Sequence, residues 1–387
     1  MKKKIAILGS TGSIGKTLFK ILLKEKKNFD IVLLTAHKSH NVLIKQAKVF
    51  NVKNLIITNK KSYEVLKKKT RKTTIRVFND FTKLNKIFKK KIDYVMSSVS
   101  GIQGLEPTIK LIKFTKKIAI ANKESIICGW NLIQAELEKY KTEFIPVDSE
   151  HFSIWYGLKN SKTTNLEKIF LTASGGPFYK TPLSKFKKIK VSDALNHPNW
   201  KMGKKISTDS ATMINKVYEV IEAKKIFNID YKKIKILIHP KSYIHAILKF
   251  NNGLINIIVH DTTMKIPIFN TLFLNSNRKL KTNRINIKIL NNLNLNNVSS
   301  THFPMIKLLN FLPDDHSLFE TVIVAANDKL VELFLTNKIK FTDIQKKLFK
   351  IIKKKEFQKF KKKQPINIRD ITNLNNYVRL KIDKNNI

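Results

Sequence analysis

A single cysteine, Cys128, leaves this chain unable to close an internal disulfide, so its fold does not depend on an oxidising compartment. Long hydrophobic runs are missing as well. No stretch approaches the ~18 consecutive apolar residues that a membrane span requires. The start, Met1-Lys2-Lys3-Lys4, has the basic character of a signal peptide, but only Ile5-Ala6-Ile7-Leu8 follows before glycine and polar residues. That is too short an apolar segment for secretion. These absences predict a soluble, cytoplasmic protein with no membrane partner. Acidic residues are also scarce: 28 Asp+Glu face 75 Lys+Arg, for a net charge of +47. Such a balance raises the question of nucleic-acid binding. The lysines, however, are scattered, as in Lys67-Lys68-Lys69, Lys187-Lys188 and Lys361-Lys362-Lys363, and form no stripe interleaved with aromatics. No zinc-finger, helix-turn-helix or RNA-recognition signature accompanies them. Lys, Asn and Ile share A/T-rich codons, which accounts for their abundance without selection for binding. No specific nucleic-acid partner is expected.

What is present is ordinary globular material: 387 residues, 42% hydrophobic, enough for two or three domains. Up to residue 147, short apolar runs alternate with helical patterns, the signature of βαβ units and a parallel sheet. Candidate strands are 5–8, 31–35, 55–57, 94–97, 118–121 and 143–147, with helical stretches at 14–26 and 105–114. Residues 148–274 hold the densest motifs and further β-rich runs at 235–238, 243–250 and 254–260. Residues 275–300 read as a connecting segment with one strand near 285–290. From 301 to 387 the pattern is helical, which predicts a C-terminal bundle. The fold class expected is therefore α/β: a Rossmann-like parallel sheet, a central α/β catalytic domain and a helical C-terminal domain.

Gly9-Ser10-Thr11-Gly12-Ser13-Ile14-Gly15 follows the first strand and opens a helix. Its glycines permit a tight turn and a close backbone approach, and the free N–H groups of the helix start suit a pyrophosphate. The spacing is GxxGxxG, and its place between strand and helix carries the reading of a dinucleotide site. After the second strand comes Ala36-His37-Lys38-Ser39, with a lysine and a serine where an NAD site carries an acid. That favours the 2′-phosphate of NADP. Asn122-Lys123-Glu124 follows a later strand at the sheet edge where such folds bind ligands, which gives Lys123 an active-site reading.

Asp148 and Glu150 are two apart, so on an extended segment both side chains leave the same face. Some sixty residues on, Asn215, Lys216 and Glu219 fall on neighbouring turns of one helix face. Two carboxylates from a strand end and one from a helix make a hard oxygen site for Mg²⁺ or Mn²⁺. Ser210, Asn215 and Lys216 can hold a phosphate beside it. Ser174-Gly175-Gly176-Pro177 is a glycine turn with a hydroxyl, suited to phosphate or to a plain loop. His197-Pro198-Asn199-Trp200-Lys201-Met202-Gly203 exposes Trp200 and Met202 between polar residues and reads as a lid over ligand. His239 and His245 lie in strand-like surroundings and read as structural. Together these point to a metal enzyme acting on a small phosphorylated substrate. A different NADP-dependent dehydrogenase, which needs no three-carboxylate site, is the nearest enzymatic alternative.

The succession GSTGSIG, ANKES, PVDSEH, SGGPF, HPNW, DSATM, NK, IHP and AAN (Ala325-Ala326-Asn327) resembles the 1-deoxy-D-xylulose-5-phosphate reductoisomerase family. The match runs in order over essentially the whole chain. The resemblance implies a homodimeric enzyme that rearranges 1-deoxy-D-xylulose 5-phosphate and reduces it with NADPH. The product is 2-C-methyl-D-erythritol 4-phosphate, in non-mevalonate isoprenoid biosynthesis. It implies one Mn²⁺, Mg²⁺ or Co²⁺ on Asp148, Glu150 and Glu219. Substrate contacts would come from Lys123, Ser149, Glu150, Ser174, His197, Ser210, Asn215, Lys216 and Glu219, of which Lys123, Glu150, His197 and Glu219 would be catalytic. NADPH would lie against Thr11, Gly12, Ser13, Ile14, Lys38, Ser39, Asn122, Glu124 and Gly203. Three departures from the family pattern stand out: His37-Lys38-Ser39 for Gly-Lys-Asn, Val217-Tyr218 for Gly-Leu, and Asp328 for Glu.

Overall fold

Seven short apolar runs of the chain assemble into one parallel sheet in the computed structural model, which describes residues 2–159, 161–274 and 276–384. The other positions, including parts of the connecting segment and of the C-terminal region expected from the sequence, lie outside the described residues. The sheet strands are β1 (Lys3–Leu8), β2 (Phe29–Ala36), β3 (Asn54–Ile57), β4 (Arg76–Phe78), β5 (Tyr94–Ser97), β6 (Lys117–Ile120) and β7 (Glu143–Pro146), in the order β4-β3-β2-β1-β5-β6-β7. The central residues of β1, β3, β5 and β6 are buried on both faces, as a parallel sheet covered by helices requires. The order reverses between β1 and β5, and ligands bind such sheets outside the carboxyl ends of the strands at that point. Helix α1 (Ser13–Leu23) begins there. Helix α2 (Lys123–Lys139) follows β6, is capped by Asn122, and breaks from helical geometry at Gly129. Apart from residues 126–131 of α2, these elements belong to a compact unit formed by Met1–Ser125, Leu132–Asp148 and Met264–Leu280.

A second unit comprises Ile126–Asn131, Ser149–Thr263 and Lys281–Ile387. Its sheet is mixed: β8 (Leu166–Ala173), β9 (Ile234–Ile238), β10 (Ile244–Phe250), β11 (Ile255–Val259) and β12 (Asn296–Asn297) lie in the order β11-β10-β8-β9-β12. Helices α3 (Ser149–Gly157) and α5 (Ile214–Phe227) pack against it, and α4 (Lys204–Thr212) runs directly into α5. The core beneath them joins Ile154, Val220 and Phe227 to Ile169, Leu171 and Leu248 of the sheet. At the C-terminal end, α6 (Phe319–Leu335) packs on α7 (Phe341–Ile352) and α8 (Ile368–Lys384), with Phe319, Ile323 and Leu330 fully buried.

Two local expectations fail. Residues 285–290 form no strand: Asn286 accepts the Ile289 N–H at 3.1 Å and starts a short helical turn, Ile287–Leu290. The alternation Ile285, Ile287, Ile289 reads as a strand, but a strand needs a paired edge, and Ile285 and Ile287 stand exposed. The strand of this segment is the two-residue β12. Nor does the chain stay extended from Asp148 to Glu150. It leaves β7 at Pro146 and is helical from Ser149, so Glu150 sits in the first turn of α3.

A carboxylate and lysine cluster at a candidate active site

At the nucleotide end, Gly9 has a φ of +74° and a Cβ there would lie 2.6 Å from the Ser98 carbonyl, so the turn after β1 passes hard against the end of β5. Ser10 and Thr35 lock that turn. Ser10 Oγ donates to Gln46 Oε1 at 2.8 Å, and Thr35 Oγ1 accepts the Gly9 N–H at 2.9 Å. Helix α1 then starts at Gly12 with no side-chain cap and no acid in its first turn, which leaves its N-terminal field open to an anion. Thr11, Gly12, Ser13 and Ile14 are exposed or half-buried at this start, and Lys38 and Ser39 are exposed beyond β2. Asn122 is buried and fully engaged. Its amide donates to the Gly101 carbonyl at 2.7 Å and to that of Val99, while its oxygen accepts the Ser125 N–H at 2.6 Å. Glu124 beside it is buried. Lys123 Nζ donates to Asp148 Oδ2 at 2.6 Å.

Glu150 and Glu219 meet across α3 and α5. Lys216 Nζ lies 2.8 Å from Glu150 Oε1, also bonds Glu219 Oε2, and donates to the Thr172 carbonyl at 2.5 Å. Burial opposes the charge on this amine. The two carboxylates outweigh it and hold the Lys216 pKa above the ordinary lysine value. Asn215 Nδ2 donates to the other Glu219 oxygen at 2.5 Å, and Ser149 Oγ donates to Glu150 Oε2 at 2.6 Å. Asp148 leads directly into α3, and one ligand oxygen each from Asp148, Glu150 and Glu219 lies within 4.8 Å of the others. Three oxygens of that hardness and spacing fit a divalent cation. The sequence placed Lys216 with the phosphate groups; its amine instead lies among the carboxylates.

Beneath this cluster lies a layer that the sequence reading missed. His151 is fully buried and its Nε2 bonds the Glu219 carbonyl at 2.9 Å, while its Nδ1 is 3.8 Å from buried Glu222. Glu222 stands three residues after Glu219 on α5, and that spacing was the available signal.

Ser174, Gly176, His197 and Ser210 come together a short distance along the second unit. His197 Nδ1 accepts two backbone N–H groups, from Asn199 at 3.1 Å and Trp200 at 3.0 Å. Burial holds its pKa down to about 4. The ring is therefore neutral with its proton on Nε2, which donates to Ser174 Oγ at 3.1 Å. Ser174 Oγ also accepts the Gly176 N–H at 3.0 Å, so its own proton is left to donate outward. Gly176 has a φ of +64°, and a Cβ there would lie 2.9 Å from the Ser210 carbonyl. The glycine turn thus seats directly on the helix that carries Ser210. The expected lid is anchored at one point: Asn199 Nδ2 donates to the Pro240 carbonyl at 2.6 Å and to Ser242 Oγ at 2.8 Å. Trp200 is half-buried and meets His245 edge-on at 6.3 Å. His245 in turn stacks on His260, with ring centroids 3.6 Å apart. His245 and His239 are buried and His260 is half-buried, which agrees with the structural reading of His239 and His245. Gly203 starts α4 with nothing within 4 Å of where a Cβ would be.

Three family models match the chain. They are described as 1-deoxy-D-xylulose 5-phosphate reductoisomerase at residues 5–129, its C-terminal domain at 144–227, and DXP reductoisomerase C-terminal domain at 260–381. A protein of Pelagibacter ubique named 1-deoxy-D-xylulose 5-phosphate reductoisomerase is 61% identical over 382 residues, 98% of each chain. One of that name from Clostridium kluyveri is 39% identical over 88% of this chain and 90% of its own. Among solved structures, the Zymomonas mobilis enzyme in complex with NADPH is 28% identical with a TM-score of 0.87 over 98% of both chains. A reductoisomerase in complex with NADPH, fosmidomycin and magnesium is 27% identical with a TM-score of 0.89 over 99% of both.

Proposed function

The chain belongs to the 1-deoxy-D-xylulose 5-phosphate reductoisomerase family, and from that premise we propose how its own residues carry the family reaction. The enzyme converts 1-deoxy-D-xylulose 5-phosphate to 2-C-methyl-D-erythritol 4-phosphate with NADPH and a divalent cation, in non-mevalonate isoprenoid biosynthesis. Asp148, Glu150 and Glu219 are assigned the cation. The observation that carries this assignment is the three-carboxylate group itself, with ligand oxygens within 4.8 Å and a buried lysine balancing its charge. When bound, the cation supplies a Lewis acid and template for the substrate's ketone and adjacent hydroxyl, and NADPH supplies the hydride.

The chain's residues do the rest. Ser174, Ser210 and Asn215 receive the phosphate, whose binding energy positions the reacting carbons. Neutral His197 orients Ser174 and the lid backbone through bonds it already makes. Lys216 holds the charge of Glu150 and Glu219 in balance, and Lys123 holds Asp148. Ser149 fixes one Glu150 oxygen. The lid around Trp200 excludes water when it closes. For the cofactor, the α1 start at Thr11–Ile14 takes the pyrophosphate and Lys38 with Ser39 the 2′-phosphate. Asn122, Glu124 and Gly203 complete that list of residues.

We read the protein as a cytoplasmic homodimer. In support, among the described residues no helix is long and apolar enough to cross a membrane. The outer strand β11 also exposes Ile255, Ile257 and Val259 at a sheet edge, with Leu254 exposed just before it, a surface that an isolated chain would leave prone to association. The excess of lysine is assigned no nucleic-acid role.

Calorimetric titration with fosmidomycin, a hydroxamate carried on a phosphonate, tests the site. Binding is expected with Mg²⁺ and lost on its removal. Equal affinity with and without the cation would remove the three-carboxylate assignment.

A further inference from the structure

The segment Ala325-Ala326-Asn327-Asp328 is tied to the groups assigned to substrate through one buried carboxylate. Asp209, the neighbour of Ser210 on α4, is 2% exposed, and Asn327 of α6 is fully buried. Asn327 Nδ2 donates to Asp209 Oδ1 at 2.8 Å. An ionised carboxylate only accepts, so the amide must present its N–H side to Asp209, which fixes its orientation. Asn327 Oδ1 finds no partner among the described residues, so Asp209 is what compensates the burial of this amide. Lys205 completes the tie: its Nζ lies 3.0 Å from Asp209 Oδ2 and 3.0 Å from Asp328 Oδ1, and 5.7 Å over the Tyr218 ring of α5.

What this clamp holds is the start of the phosphate end. The Ser210 carbonyl accepts the Met213 N–H at 3.1 Å, and the Met213 carbonyl accepts the Lys216 N–H at 3.1 Å. Met213 itself turns through a φ of +68° to join α4 to α5. The Gly176 turn packs on the same Ser210 peptide. A displacement of α4 therefore reaches Ser210, Asn215 and the loop of Ser174 together. We propose that Asp209 and Asn327 are positioning residues for phosphate binding, which set the place of α4 without contacting the substrate. This rests on the assignment of Ser174, Ser210 and Asn215 to the phosphate made above.

The test is steady-state kinetics with 1-deoxyxylulose 5-phosphate varied at saturating NADPH and Mg²⁺, for Asn327→Leu, Asp209→Ala and Asp209→Asn. The first two are expected to raise KM for the substrate by about tenfold or more and to weaken inhibition by inorganic phosphate in parallel. Neither should change KM for NADPH or the Mg²⁺ requirement. Asp209→Asn keeps an acceptor for the Asn327 N–H and is expected to recover most of the substrate KM. If Asn327→Leu does not fold, the contrast between Asp209→Ala and Asp209→Asn carries the test alone. A merely structural role would lower the Tm of Asp209→Ala and leave its substrate KM at the wild-type value, and that result overturns the proposal. Absence of wild-type turnover overturns the functional assignment and this inference with it. Wild-type turnover with an unchanged KM in Asp209→Ala overturns the positioning role alone.

Discussion

His197 accepts two N–H groups on one ring nitrogen and lends its other proton to Ser174, so its work is done in the neutral form. Burial keeps its pKa at about 4, below the ~6.5 of a free imidazole. Its folded value is depressed, so the stability it contributes is full above pH ~6.5 and is lost progressively as pH falls from there through about 4. The profile of kcat/KM against pH should accordingly show no His197 inflection between about 6 and 8. An inflection near 6.5 that disappears in His197→Gln would contradict this reading. At the other end, Lys38 and Ser39 stand where an acid would select NAD. Lys38→Ala should reduce the preference for NADPH over NADH by about tenfold, the loss of one charge-assisted phosphate contact. An unchanged ratio of kcat/KM for the two cofactors would exclude the role. The cofactor reading of Lys38 and Ser39 came from residue type and position, and that of His197 from the family resemblance. The place of the Lys216 amine was not, because helix spacing gives the face a lysine leaves from and not which of two anions its long stem reaches. His151 was missed for a related reason: its Nε2 bonds a backbone carbonyl, which no sequence pattern marks.

Among the elements, the glycine turn after β8 is tightly constrained. Gly176 holds a positive φ and its missing Cβ leaves room for the Ser210 carbonyl. Gly176→Ala should destabilise the protein by about 1–3 kcal/mol and raise the substrate KM, since strain and clash fall on the phosphate loop together. Chemical denaturation alongside kinetics checks this, and a variant matching wild type in both would refute it. Strands of the first sheet were readable where they are buried on both faces, as continuous apolar runs bounded by turn residues. The three-residue β4 was not, because Arg76-Val77-Phe78 carries too little pattern. Nor was β8, in which Glu167 and Lys168 interrupt the apolar run near its start. The alternation at 285–290 misled for the opposite reason. It had the period of a strand and no neighbour to pair with, so the Asn286 cap decided the local structure.

At the scale of the whole molecule, burial keeps several histidines uncharged. It lowers the pKa of His197 to about 4 and those of His245 and His316 to about 3, and lowers His239 and His260 as well. The unfolded chain therefore binds more protons than the folded one below pH ~6.5, and stability must fall as pH drops from there toward 3. The urea midpoint should be lower at pH 5 than at pH 7.5; equal midpoints would show that these rings are not held neutral. Composition did not reveal this. The net charge of +47 says how the surface is decorated, while the residues proposed to hold the cation are among its few acids. The account rests most heavily on three of those acids. The measurement that reaches them directly is the initial rate of NADPH oxidation with 1-deoxyxylulose 5-phosphate as Mg²⁺ is titrated, for wild type and for Glu219→Gln. Wild type should be silent without the cation and saturate with it. Glu219→Gln should lose about a hundredfold or more in apparent cation affinity or rate while binding NADPH normally. A Glu219→Gln enzyme with the wild-type rate and the wild-type Mg²⁺ dependence would contradict the account.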